Sequence, residues 1–383
     1  MERTLAQSGV TGRAFVSGDL TFAIAGREDD ADLRRLLRDN ATEGWIRLAL
    51  AREPDAFAAA AAMGQHHGYI IARHRETREP VGMCEWSARE SFVDGNSCLL
   101  AYLGSLRIAP AYRHRLRVLK GGFEAVRRLL HHEHATSFAL TAIGVENHDA
   151  LRLLGANLPG MPAYRRLEDF STFALRPRRA PPQARIERAG PDDLSAIAVC
   201  LARSHRKYQF APVWRARDLA DPKRCPGLRP EDFLIVRRGP GISACIALWD
   251  QSAFKQTVVS GYSGHLNWAR SLINLAAPLL GTPHLPAAGE HLQQVYLSHL
   301  AVDGNDAQLF RLLIDAALAE VHRRGLALGL VGLATRHPLA EVLRRHHRPR
   351  EYRTVLHLVQ WADRHDVREL PAPGLPHVEI AVL

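Results

Sequence analysis

Lysine is nearly missing from this chain: Lys120, Lys207, Lys223 and Lys255 are the only four, so 46 of its 50 basic residues are arginines. Cysteine is scarce as well. Cys84, Cys98, Cys200, Cys225 and Cys245 are odd in number and form no CxxC pair, which argues against a disulfide framework or thiolate zinc site and suits reduced thiols in a cytoplasm. No apolar run is long enough to span a bilayer, the longest lying around Leu272–Leu280. Met1-Glu2-Arg3 opens no apolar signal core, so neither membrane nor secretion is expected. Aromatics are only 7% and no block of five bases stands out, so nucleic acid is not an expected partner. His66-His67, His131-His132-His134 and His346-His347 have no ligand-spaced acidic or Cys companions, and no metal is expected.

What remains is globular. The 383 residues, 46% hydrophobic and 23% charged, are enough for two domains with ordinary cores. The net charge of +10 has two readings. Either a GC-rich genome writes Arg for Lys, or guanidinium forks meet a partner carrying phosphates.

The prolines of Arg176-Pro-Arg-Arg-Ala-Pro-Pro-Gln183 interrupt both helix and sheet and divide the chain into residues 1–178 and 183–383. Each half runs through a similar order. In the first, a strand Leu20–Ala25 precedes helices at Asp29–Asp39 and Pro54–Met63 and strands at Tyr69–Arg75, Val81–Ser91 and Ser97–Ile108. A basic loop, a helix ending near His134, a strand Phe138–Val145, a short helix His148–Leu154 and a hairpin over Tyr164–Leu175 follow. The second half repeats this with strands at Arg185–Arg188, Phe233–Arg237, Ile242–Trp249, Gln294–Val302, Ala327–Leu333 and Tyr352–Trp361. Its helices fall at Pro191–Arg203, Ala307–Arg324 and Pro338–Arg345, and it carries an insertion, Gln251–His291. This order predicts an α+β fold with a mixed, mostly antiparallel sheet, repeated twice.

The most informative segment is Tyr102-Leu-Gly-Ser-Leu-Arg-Ile-Ala-Pro-Ala-Tyr-Arg-His-Arg-Leu-Arg-Val118. An apolar strand runs into a proline, and a basic turn opens a helix whose unpaired N–H groups and positive dipole end form an anion site.

Here the sequence resembles the GCN5-related N-acetyltransferase (GNAT) superfamily. Ile108-Ala109-Pro110-Ala111-Tyr112-Arg113 fits that family's strand exit and the first position of its pyrophosphate loop, and Glu146-Asn147-His148-Asp149-Ala150 looks like its Asn segment. The match covers roughly 20–175 and extends more weakly to 184–362. It implies tandem GNAT-like domains, the first binding acetyl-CoA or another acyl-CoA and transferring the acyl group to a small-molecule or peptide amine. On that resemblance Leu106, Arg107 and Ile108 would orient the pantetheine and acyl carbonyl. Arg113, His114, Arg115, Leu116, Arg117 and Val118 would hold the pyrophosphate, and Asn147 would support the pantetheine arm or the helix start.

Three departures stand out. The family's loop glycines are replaced by Leu116 and Val118, while Gly121-Gly122 lies further on. That leaves either a longer loop with a later helix start, in which arginines and Lys120 supply the charge, or a decayed cofactor site. The family's acid, a Tyr seven residues after the Asn, is Leu154 here, and Tyr164 is the substitute candidate. The fourth strand has no acidic residue, so Glu85 in Gly82-Met-Cys-Glu-Trp86 is the candidate base, the alternative being an exposed surface carboxylate. In the second half no Arg-x-x-Gly-x-Gly follows Val302, and Asp303 and Asp306 would repel a pyrophosphate. That half is expected to lack coenzyme A and to shape the acceptor pocket or form a homodimer surface. The competing expectation for the whole chain is a non-catalytic acyl-CoA-binding or regulatory protein on the same scaffold.

Overall fold

Two hydrophobic periods alternate along the chain, one of two residues that makes strands half-buried and one near 3.6 that lays helices across them. The computed structural model describes residues 14–41, 46–132, 138–180, 185–280, 284–361 and 372–383. The first half contains β1 (Phe15–Ser17), β2 (Leu20–Ile24), α1 (Asp30–Asp39), β3 (Ile46–Ala51), α2 (Ala56–Ala61), β4 (His66–His74), β5 (Pro80–Val93), β6 (Asn96–Ile108), α3 (Leu116–His132), β7 (Phe138–Gly144), α4 (His148–Leu154) and β8 (Ala163–Leu175). The second contains β9 (Glu187–Arg188), α5 (Leu194–His205), α6 (Ala216–Leu219), β10 (Phe233–Arg238), β11 (Gly241–Trp249), β12 (Gln256–Tyr262), α7 (Gly264–Leu280), β13 (Gln294–Val302), α8 (Ala307–Arg323), β14 (Leu328–Ala334), α9 (Pro338–His347) and β15 (Arg350–Gln360).

Thirteen strands form one sheet in the order β1-β2-β4-β5-β6-β7-β15-β8-β14-β13-β11-β10-β9. Most neighbours are antiparallel; β6 with β7 and β13 with β14 are parallel. The expected α+β fold and its mostly antiparallel sheet are therefore present.

The closing strands are exchanged between the halves. β8 pairs with β14 and β15 pairs with β7, while β8 and β15 pair with each other over eleven register positions. Their side chains follow the exchange. Phe173 and Leu175 of β8 lie in the core beneath α8 with Phe310, Leu313 and Val331, whereas Val359 of β15 and Trp361 just beyond it join Phe123, Leu129 and Leu154 beneath α3. Burying a large apolar side chain contributes about 1.5–3 kcal/mol, so each half's core is completed by the other's strand.

This corrects the expected hairpin over Tyr164–Leu175. The segment is a single 13-residue strand, because both its edges are taken by distant strands and nothing is left for a local partner. The insertion 251–291 supplies β12, which pairs with β3 in a separate two-stranded sheet, and α7. β8 ends at Leu175, and residues 181–184 lie outside the described set.

Candidate active site

β6 and β7 are paired only at Ala101–Ala139 and Tyr102–Leu140, and beyond those positions they splay apart. The register of β5 against β6 slips between Met83 and Glu85, and Ser105 takes a left-handed φ of 48°. Such an extra residue bends and twists a strand locally, which turns β6 away from β7 and opens a slot. Tyr102 lies along the slot's apex: a Cβ at Gly104 would be 3.0 Å from its ring. Burial pushes its phenol up, and the Ala142 backbone pulls the other way. Nearer the mouth, the exchanged strand contributes Tyr352, whose hydroxyl would be 2.6 Å from a Cβ at Gly144. Leu106 and Tyr352 remain 39% and 54% exposed, so the rim reaches solvent.

Beneath the bend sits Glu85. It is buried, not exposed, and accepts a hydrogen bond from Ser105 Oγ at 2.8 Å. Arg52, 1% exposed, donates from Nη2 to the same carboxylate oxygen at 3.4 Å. Burial pulls Arg52 down, but Glu85 and the hydroxyls of Tyr69 and Tyr296 outweigh it, and its pKa is raised. Lys255 from the second half is buried over the Tyr296 ring, its Nζ 4.9 Å from the centroid, and donates to the carbonyls of Ile380, Ala381 and Leu383.

Tyr164 packs edge-on against Phe123 and His357 beneath α3, with centroid distances of 6.1 and 6.0 Å, in a cluster that also holds Leu103 of β6 and Ile143 of β7, and burial drives its phenol far up. Leu154, at the family's acid position, is buried in that same cluster.

Around the basic loop, a 3-10 turn Pro110–Tyr112 leads to α3, which begins at Leu116. The longer-loop explanation of the displaced glycines is thereby corrected. Gly121 and Gly122 are inside the helix, and Gly121 is required there because a Cβ would come within 2.2 Å of Phe22. Val118 is buried with Leu20 and Phe22, and Leu116 is half-buried. The arginines are engaged within the protein: Arg115 and Arg117 each bond Asp19 at 3.0 Å, and Arg113 reaches Asn40 Oδ1 at 2.9 Å and Ile108 O at 3.3 Å. His114 is exposed beside them. Arg107 donates to Leu106 O at 3.0 Å while its buried Nε has no partner. Asn147 caps α4, accepting the Ala150 N–H at 3.2 Å.

The second half repeats the splay and closes it. β13 and β14 pair at Gln294–Leu328 through Tyr296–Leu330, and His299, like Ser105, has a left-handed φ, here 51°. The residues before Leu383 fill this gap. Glu379 accepts the His299 N–H at 2.8 Å, and Ile380 lies where a Cβ on Gly332 would be 2.3 Å away. Asp306 caps α8 through Gln308 and Leu309. Among the described residues no group of His, Cys, Asp and Glu is placed to hold a metal, and no helix is long and apolar enough to cross a membrane.

A parallel strand pair splayed at a bulge, followed by a strand–turn–helix and flanked by an antiparallel sheet, defines the GNAT-type acyltransferase fold. Among solved structures, the chain is similar to Saccharomyces cerevisiae N-myristoyltransferase with bound myristoyl-CoA, at TM-score 0.61 and 12% identity over 92% of this chain and 85% of that one. It is also similar to a GCN5-related N-acetyltransferase from Sphaerobacter thermophilus, at TM-score 0.51 and 13% identity over 90% and 96%. No protein-family model and no curated protein matches the sequence. The fold is thus that of acyl-CoA-dependent N-acyltransferases.

Sequence reasoning missed Tyr102, Ser105, Arg52, Lys255 and Tyr352 as site residues. Tyr102 and Ser105 stood in the motif already singled out. Tyr352 carried no local signal, because only strand exchange brings it to the slot.

Proposed function

We propose that the chain transfers an acyl group, most simply acetyl, from acyl-CoA to an amine in the slot between β6 and β7. The observation that carries this is the contrast between the two splays. The first is lined by side chains and open at Leu106 and Tyr352; the second is filled by the chain's own Glu379–Ile380. Residues 1–178 would then be the acyl-CoA domain and 183–383 a partner domain that shapes the acceptor side.

In this reading the β6 backbone at Leu106–Ile108 orients the pantetheine, and Tyr352 forms the facing wall. A neutral amine attacks the thioester carbon, the new C–N bond forms and the C–S bond breaks with its electron pair leaving on sulfur. Tyr102, kept protonated by burial, donates to the thiolate. Glu85 Oε1, which has no partner in the structure, accepts the amine's proton through a water, and that proton passes through solvent to the Tyr102 phenolate, so both groups end as they began. Such proton transfers contribute about 10²–10⁴-fold, and positioning supplies several kcal/mol more.

A second reading, acyl-CoA binding without turnover, is favoured by one observation. Arg115 and Arg117 are already paired with Asp19, so less charge faces a pyrophosphate. Isothermal titration with acetyl-CoA and myristoyl-CoA, followed by thiol release across an amine panel, separates the two. Binding with release supports transfer, binding without release supports the second reading, and no binding at millimolar ligand overturns both.

A further inference from the structure

In the insertion, α7 reverses the usual arrangement of an amphipathic helix. Its Trp268, Leu272 and Leu275 are 87%, 71% and 78% exposed. At about 100° per residue these three fall in one stripe roughly 60° wide. Polar groups instead hold the helix to the protein. Asn274 exchanges two hydrogen bonds with Leu285, Nδ2 donating to its carbonyl at 3.0 Å and Oδ1 accepting its N–H at 2.8 Å, and Arg270 Nη1 donates to the same carbonyl at 3.4 Å. The segment after Leu285 is fixed on β12 in turn: Tyr262 Oη donates to Pro286 O and the Gly289 N–H to Val259 O, both at 2.8 Å. The polar side of α7 therefore sets its orientation and leaves the apolar stripe facing outward.

Single exposed apolar residues need no explanation, whereas a contiguous row of large ones marks a contact surface. Charge and area indicate what covers this one. No Asp or Glu lies between Asp250 and Glu290, and Glu290 itself is turned onto the Ala287 N–H at 2.7 Å. Bases are present instead: half-buried Arg270 on α7, and exposed Arg47 of β3, whose Nη2 would be 2.6 Å from a Cβ at Gly261, shortly before α7 begins. The surroundings of the stripe are thus positive, in a chain of net charge +10. One Trp and two Leu expose on the order of 400 Å², about half of what each subunit of a stable dimer buries. A lipid interface needs no complementary protein surface: it accepts Trp at headgroup level with leucines beside it, and anionic headgroups favour nearby bases.

We propose that α7 docks the protein on the surface of an anionic phospholipid bilayer, with Trp268, Leu272 and Leu275 entering the interface and Arg47 and Arg270 adding positive charge above it. A helix lying in the interface needs neither the length nor the uniform apolarity of a span. The expectation of no membrane partner, drawn from the lack of a spanning run and a signal core, is set aside on this point.

The test floats the full chain with vesicles of phosphatidylcholine alone and of phosphatidylcholine containing about one-third phosphatidylglycerol. Binding to the anionic vesicles is expected to be about ten-fold tighter than to the neutral ones and to weaken with salt. Trp268→Ser, Leu272→Ser and Leu275→Ser together should cut it by roughly ten-fold or more, with far-UV circular dichroism unchanged because the three side chains are exposed. Val199→Ser, at a 62% exposed apolar residue on α5, should leave it unaltered. Brominated lipid should quench part of the tryptophan emission, and that part should vanish in Trp268→Phe. No binding to anionic vesicles, equal binding by the triple variant, or no quenching assignable to Trp268 would overturn the proposal. A concentration-dependent dimer that the triple variant abolishes, without vesicle binding, would give the stripe to a second copy and overturn it too. None of these readouts uses acyl-CoA, so the outcome is separate from that of the acyl-transfer reading.

Discussion

Ser105 Oγ donates to Glu85 Oε2 at 2.8 Å, joining the one left-handed residue of β6 to the carboxylate buried beneath it. The same residue that opens the slot by bending β6 thus also aims one oxygen of Glu85, leaving Oε1 unengaged. Glu85→Gln should lower kcat by roughly 10²–10⁴-fold with little change in acyl-CoA affinity. Glu85→Ala should in addition destabilise the fold by about 3 kcal/mol, because Arg52 would be left as an unpaired buried charge. Steady-state kinetics and urea titration check the two effects separately.

Tyr102→Phe removes a hydroxyl without changing the shape of the slot's apex. Thiol release should slow while coenzyme A binding stays put. Tyr352→Ala should do the opposite, weakening coenzyme A through loss of the facing wall and raising KM more than it lowers kcat.

Asp19 holds both Arg115 and Arg117, and their positive charge keeps its carboxyl below the usual range alongside the backbone bond that contributes most. Asp19→Asn would release two guanidiniums at the start of α3. Because exposed ion pairs are weak and screened by salt, acyl-CoA binding should tighten by only roughly two- to five-fold, and more at low salt. Unchanged affinity would remove these arginines from the pyrophosphate site.

Lys255 is pushed down from 10.5 to about 7, first by burial and then by Arg52. Between those values the unfolded chain binds a proton that the folded chain does not. Stability should therefore rise with pH across that window, by at most about 1.4 kcal/mol per pH unit, and level off below about 7, where both states hold the proton and the burial penalty is fully present. Lys255→Met should flatten the rise between pH 7 and 9 in urea-denaturation midpoints.

Adjacent glycines in α3 should respond with opposite signs. A Cβ at Gly122 meets nothing within 4 Å, so Gly122→Ala should stabilise by about 1 kcal/mol through helix propensity. A Cβ at Gly121 would come within 2.2 Å of the Phe22 ring, and Phe22 is only 1% exposed. Gly121→Ala should destabilise by about 1–3 kcal/mol despite the same gain in propensity.

The elements of both halves were largely legible because strand alternation and amphipathic helices are local patterns. Glu85 was legible as a candidate because an acid stood inside an otherwise apolar strand. Its burial was not, since Arg52 and Ser105 meet it from distant positions. The exchange of β8 and β15 had no sequence signature: each strand is apolar enough to complete either core, and the choice is made by long-range pairing. For the same reason Tyr164, judged by proximity in sequence, is packed beneath α3, while Tyr352, more than two hundred residues from Gly144, sits over it. Gly121 looked like a displaced loop glycine because the ring of Phe22 that requires it lies far earlier in the chain.

The unequal filling of the two splays is tested most directly by the stoichiometry of acyl-CoA binding. Isothermal titration of the full chain with myristoyl-CoA and with acetyl-CoA should give one site per chain for at least one of them, lost or strongly weakened in Gly144→Leu, which would occupy the slot beside Tyr352, and retained in Gly332→Ala. No binding, two sites per chain, or loss of the site on changing Gly332 but not Gly144 would contradict the assignment of the first-half slot.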